Sequence, residues 1–306
     1  NSSIYADNSL NISNSTFEVG NVIGNDNNTT GTYNRNSIYI TGNNNTLKIL
    51  NTGERERSYR DNTGSLKYDP NLGRSQTTTK FKVDGRYNNG ILAVNGASVE
   101  TNKGTSFDLP STSTATDING NPFSNYGNNG INMGSSAGKA TVNNTTFNIA
   151  GSGNGILINS GNVQNSVHSS TFNVTSGNGI NINSGTVTDV DSNGIPVGTS
   201  SFNVGSGNGI YAANGTGLDN VTATFSITGT NSNGILKNTA NNTKVIGSTF
   251  TVGGTGSTGI TYNGGSNAEV ITGSTFNVNG GTNATNGTTS GINMINTAQI
   301  TVNPNT

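Results

Sequence analysis

One short unit, Ser/Thr-Phe-x-Val/Ile/Leu followed after a Gly-rich stretch by Asn-Gly-Ile, recurs down the chain and restricts the architectures open to it. Clear copies are Thr146-Phe147-Asn148-Ile149 with Asn154-Gly155-Ile156, Thr171-Phe172-Asn173-Val174 with Asn178-Gly179-Ile180, and Ser201-Phe202-Asn203-Val204 with Asn208-Gly209-Ile210. Thr224-Phe225-Ser226-Ile227 leads to Asn233-Gly234-Ile235, and Thr249-Phe250-Thr251-Val252 leads to Thr258-Gly259-Ile260. Further copies begin at Phe17, Phe81, Phe107 and Phe276, so nine of the ten Phe residues share one repeat position and Phe123 stands apart. From Phe147 to Phe276 the steps are 25, 30, 23, 25 and 26 residues. Those intervals are too irregular for a coiled coil and too short for a propeller blade, but they suit a solenoid whose coils carry loops of varying length.

Within each unit apolar residues alternate, as in Phe172-Asn173-Val174 and Ile180-Asn181-Ile182, which is the period of a strand. A third short strand is expected around Val142, Val167, Val221, Val245 and Ile271, each four or five residues before the next Phe. Three strands per coil of about 25 residues predict an all-β, right-handed parallel β-helix in which coils pair about 4.8 Å apart and like side chains stack. Nine Phe-bearing coils give a rod of roughly 40–50 Å. Phe147, Phe172, Phe202, Phe225, Phe250 and Phe276 are the expected structural ladder. Asn-Gly is expected to turn the chain out of the strand, because Gly accepts positive φ freely, and stacked Asn amides can bond coil to coil.

The chain is 29% hydrophobic, and 9% of it is charged, against about 25% in an ordinary soluble domain. Such polarity would suit disorder, but the apolar residues recur in register, which implies a thin, continuous core. The formal net charge of −1 gives no general attraction to nucleic acid or anionic membrane. No stretch approaches the roughly 18 apolar residues of a membrane helix. The chain opens at Asn1 without a charged-then-apolar leader, so any signal peptide is expected to have been removed or to lie outside it. There is no Cys, which excludes thiolate metal sites and disulfides and suits export in an unfolded state.

Insertions mark the places where a solenoid carries function. The longest, residues 52–80, holds ten of the chain's 29 charged side chains. Tyr59 and Tyr68 flank the turn-prone Asp61-Asn62-Thr63-Gly64, which predicts a hairpin. Arg55, Arg57, Tyr59, Arg60, Lys67, Tyr68 and Arg74 are the candidate receptor-binding residues, since Arg and Tyr are enriched where binding energy concentrates; the alternative is a solvated, charge-paired flap. Smaller loop insertions are expected over 110–128 and 186–198. The second contains Asp189-Val190-Asp191-Ser192-Asn193-Gly194, the first half of a calcium loop, but Ser200 stands where the bidentate Glu would be needed, so a polar turn is the reading and no metal or other cofactor is expected.

Catalytic chemistry is thin. After Asp117 the only acids are Asp189, Asp191, Asp219 and Glu269, expected mostly in bends or insertions, so the paired carboxylates of glycoside hydrolysis are not expected. The sole His, His168, lacks a triad context and is read as a surface or bend residue. The many Gly-x-Gly strings, such as Gly151-Ser152-Gly153, open no helix. An enzyme is not expected.

Coils written Ser/Thr-Phe-Asn-Val and Gly-Asn-Gly-Ile, with Asn/Gly/Thr-rich bends and no Cys, resemble the passengers of type V autotransporter adhesins. Among these the chain is most similar to the large fusobacterial adhesins, and more distantly to vacuolating-toxin-like and polymorphic membrane protein passengers. The resemblance covers residues 81–300 and, more loosely, 1–50. It implies that residues 1–306 are one β-helix segment of a longer passenger, exported through an outer-membrane barrel to the surface of a Gram-negative cell; no polar helical cap is expected near the C-terminal coil, because Ile300-Thr301-Val302 is still in repeat. It also implies attachment to a protein or glycan receptor on host cells or other bacteria. The competing readings are a polysaccharide-processing β-helix, as in lyases and tailspikes, and a spacer stalk without binding of its own.

Overall fold

A computed structural model describes residues 2–20, 35–51, 58–60, 63, 66–68, 78–116, 122–124, 126–160, 164–188, 199–213, 216–238, 243–264, 268–279, 282–283, 287–295 and 299–303. They form a right-handed parallel β-helix. Three parallel sheets of ten, ten and nine strands run along it. Each coil contributes one strand to each sheet in the same order: the Asn-Gly-Ile strand, then the valine strand, then the Phe strand. The fifth coil, for example, is Ser152–Ile158, Gln164–His168 and Thr171–Val174. The tenth ends with Gln299–Asn303 in the valine sheet.

The register explains the sequence repeat. Phe17, Phe81, Phe107, Phe147, Phe172, Phe202, Phe225, Phe250 and Phe276 pair in succession along one sheet. Their rings stack nearly parallel with centroids 4.6–5.0 Å apart. Facing them are the Ile residues of the Asn-Gly-Ile sheet, among them Ile156, Ile180, Ile210, Ile235 and Ile260, and the apolar residues of the valine sheet, all buried in one continuous core. Phe276, the last member of the expected ladder, is only partly buried, unlike the five before it. It lies in the last strand of its sheet, so only one neighbouring ring covers it.

Asn-Gly works differently from the expectation. Asn178 and Gly179 open the strand Asn178–Ile182 and do not turn the chain out of one. Gly179 lies outside the left-handed region, and the positive φ falls two residues earlier, at Gly177. What excludes a side chain at Gly179 is space: a Cβ there would lie 2.6 Å from the Gly209 carbonyl oxygen and 3.1 Å from the Phe202 ring. The same contact with the next coil's glycine recurs at Gly90, Gly130, Gly155, Gly209, Gly234 and Gly259, so a glycine column is the groove into which the Phe column packs.

Polar columns close the corners. Each Asn amide donates to the Asn one coil earlier: Asn89 to Asn36, Asn129 to Asn89, Asn154 to Asn129, Asn178 to Asn154, Asn208 to Asn178 and Asn233 to Asn208, at 2.8–3.0 Å. At the corner before the Phe strand, hydroxyls accept from backbone N–H groups of the preceding coil, as Ser170 Oγ does from Thr145 N and Ser200 Oγ from Ser170 N. Buried backbone that leaves a strand needs such partners, and the hydroxyls that supply them stand two residues before Phe, whereas the Ser or Thr directly before Phe faces outward.

Candidate recognition surface

The solenoid walls are chemically plain. In six successive coils the Phe strands turn Thr146 and Asn148, Thr171 and Asn173, Ser201 and Asn203, Thr224 and Ser226, Thr249 and Thr251, and Thr275 and Asn277 away from the core, all uncharged. Three ion pairs bridge coils on the walls: Lys48 with Glu100 at 3.1 Å, Lys82 with Glu18 at 2.6 Å and Lys244 with Asp219 at 3.7 Å. Glu18 holds the Lys82 ammonium above its usual value, chiefly through that hydrogen bond. These exposed pairs contribute about 0–1 kcal/mol each and chiefly cancel local charge.

The charged insertion leaves the solenoid between the valine strand Thr46–Ile49 and the Phe strand Thr79–Val83. Its described part is an antiparallel hairpin of Ser58–Arg60 and Leu66–Tyr68, in which Ser58 opposes Tyr68, Tyr59 opposes Lys67 and Arg60 opposes Leu66. Four of the candidate binding residues, Tyr59, Arg60, Lys67 and Tyr68, therefore share one two-stranded ribbon. Arg55, Arg57 and Arg74 lie outside the described residues.

Two other departures form hairpins. Thr112–Thr116 pairs antiparallel with Pro122–Ser124, the strand that contains Phe123. Thr282–Asn283 pairs with Gly287–Thr288, at a place where the sequence had signalled no insertion. The calcium-loop-like stretch 189–194 lies outside the described residues. Among the described residues no three His, Asp or Glu side chains gather as metal ligands. A small, mainly apolar recess of about 20 Å³ is bordered by Val167, Val187, Phe202 and Val221.

Two polar residues sit elsewhere than expected. His168 ends the strand Gln164–His168 and is buried, not a surface residue; Ser170 Oγ donates to its carbonyl at 2.9 Å. Glu269, one of four acids expected mostly in bends or insertions, lies in the strand Ala268–Thr272 and points inward. It meets Lys237 of the preceding coil, Nζ to Oε1 2.5 Å, with both side chains buried, and Oε2 accepts from Thr243 N at 2.8 Å. Burial lowers the Lys237 pKa from its usual value, with Glu269 opposing. Tyr262 pairs with Lys237 in register and has a buried hydroxyl without a hydrogen-bond partner. Burial, reinforced by the Glu269 charge, raises its pKa strongly. The signal for this pair was parity: Lys237 is two residues from inward Ile235, and Glu269 two from inward Ile271.

No family model, curated protein or solved structure matches this chain.

Proposed function

We propose that the chain is part of the surface-exposed passenger of an autotransporter adhesin, a stiff non-catalytic rod that presents the hairpin of residues 58–68 to a protein or glycan receptor on host cells or other bacteria. The observation that carries this reading is the contrast between that hairpin and its support. Along six successive coils the outward positions of the Phe strands are uncharged, whereas the two paired strands of the ribbon carry Tyr59, Arg60, Lys67 and Tyr68 in their sequence. Arg matches carboxylates through paired donors and Tyr stacks on flat apolar faces, so such a ribbon suits an acidic or sugar-bearing receptor. The rod has the form of a spacer that holds the ribbon away from the cell, and a net charge of −1 leaves nucleic acid an unsuitable partner.

Removal of residues 53–77 behind a short Gly-Ser bridge tests the reading. Coil stability is a sum over neighbouring interfaces, so the variant should keep the β-sheet circular dichroism spectrum and melting temperature of the parent while attachment to host cells or bacteria falls at least tenfold. Undiminished attachment by the folded deletion variant would reject the hairpin as the receptor site. Absence of attachment by the parent would leave a spacer, and depolymerisation of a polysaccharide by the parent would point to the enzyme.

A further inference from the structure

The interior carries a charged pair that attachment does not use. Lys237 is 2% and Glu269 7% exposed, and their Nζ and Oε1 atoms are in direct contact at 2.5 Å. Both stand at inward positions: Ala212 precedes Lys237 in its row, and in the row of Glu269 Leu218 is followed by Thr243. Removing two full charges from water costs several kcal/mol per ion, so an ion pair is a poor filler for this core.

We propose that Lys237 and Glu269 condense to an amide, a self-formed cross-link between the eighth and ninth coils. Nζ forms a bond to Cδ, the Cδ–Oε1 bond breaks, and Oε1 departs as water with two protons from the Lys237 ammonium. Oε2 remains as the amide carbonyl oxygen. No oxidant, reductant or cofactor enters the balance, and two buried charges become one neutral group. The surroundings fit each part of the step. The fold holds the reacting groups in contact, replacing a bimolecular encounter by a fixed approach. Thr243 N–H, 2.8 Å from Oε2, is placed to take up charge developing on that oxygen. Burial lowers the Lys237 pKa, which favours the neutral amine that attacks. Tyr262, 1% exposed in the same row one coil on, helps keep out the water that would reverse the reaction. The wall pairs Lys48–Glu100, Lys82–Glu18 and Lys244–Asp219 are solvent-exposed and have no such shelter.

Mass spectrometry of the intact, denatured protein decides the matter. The parent should weigh less than its sequence by one water, and protease digestion should give a branched peptide joining residues 237 and 269. Lys237→Met should restore the full sequence mass. A parent with the full sequence mass overturns the proposal, as does loss of water that persists in Lys237→Met. The measurement on the parent stands even if the variant does not fold.

Discussion

Two glycines four residues apart, Gly205 in the bend after the sixth coil and Gly209 in the first strand of the seventh, should respond to the same substitution in opposite senses. At Gly209 a Cβ would stand 2.6 Å from the Gly234 carbonyl oxygen and 3.1 Å from two atoms of the Phe225 ring. The ring could shift by a few tenths of an ångström, but the carbonyl is fixed by the sheet. Gly209→Ala should therefore destabilise by about 1–3 kcal/mol, the range for forcing atoms into a packed core. At Gly205 the nearest atoms to a Cβ are the Val174 carbonyl oxygen at 3.5 Å and Thr175 Cα at 3.6 Å, ordinary contacts, and φ lies outside the left-handed region. Gly205→Ala should stabilise by about 0.4–1 kcal/mol, because alanine has fewer unfolded conformations to lose. Urea unfolding followed by circular dichroism reads both: with the slope unchanged, the midpoint moves down for Gly209→Ala and up for Gly205→Ala. Equal shifts in the two variants, or a Gly209→Ala protein as stable as the parent, would refute the steric column and restore the view that these glycines serve only to bend the chain.

Phe202→Ala removes a ring stacked between Phe172 at 4.6 Å and Phe225 at 4.8 Å and should lower unfolding stability by about 3–5 kcal/mol; Phe276→Ala, partly exposed with one neighbouring ring, should lower it by less than half as much in the same urea assay. Tyr262→Phe removes a buried hydroxyl that has no partner, so stability at neutral pH should stay level or rise slightly. The raised pKa of Tyr262 gives stability that is fully present below the unfolded value near pH 10 and is lost as pH climbs above it. The parent's melting temperature should accordingly drop more steeply above about pH 10 than that of Tyr262→Phe, and parallel curves would show that Tyr262 is not sheltered.

The parts of the fold that the sequence displayed are those in which one residue type carries one role at a fixed place. Phe is the largest apolar side chain in the repeat, and nothing else at that position could fill the interior, so its spacing alone gave the coil. The role of Asn-Gly was harder to read, because the atom that forbids a side chain at Gly209 belongs to Gly234, a full coil away; a single repeat contains the turn chemistry but not its neighbour. The Lys237–Glu269 pair was hidden for a different reason. Charged residues are ordinarily assigned outward, and only the parity shared with Ile235 and Ile271 marked them as inward. As for the recognition surface, composition singled out residues 52–80 and turn chemistry suggested its hairpin, while the pairing of Tyr59 with Lys67 and Ser58 with Tyr68 depends on strand register that turn residues alone do not set.

The Asn columns give the rod an electrical direction. Every donor in the long column points toward the earlier coil, from Asn233 back to Asn36, so the amide dipoles add head to tail and polarise one another. The positive end of such a column faces the N-terminal coils, as the positive end of a helix faces its N-terminus. A shorter column on the Phe sheet runs the same way, Asn203 to Asn173 to Asn148, and ends on the carboxylate of Asp108 at 2.6 Å. An anion thus terminates the positive end, the arrangement that favours Asp at the start of a helix. Side chains here reproduce a polarity that proteins usually obtain from their backbone, and an acidic residue is welcome at one end of each column and disfavoured at the other.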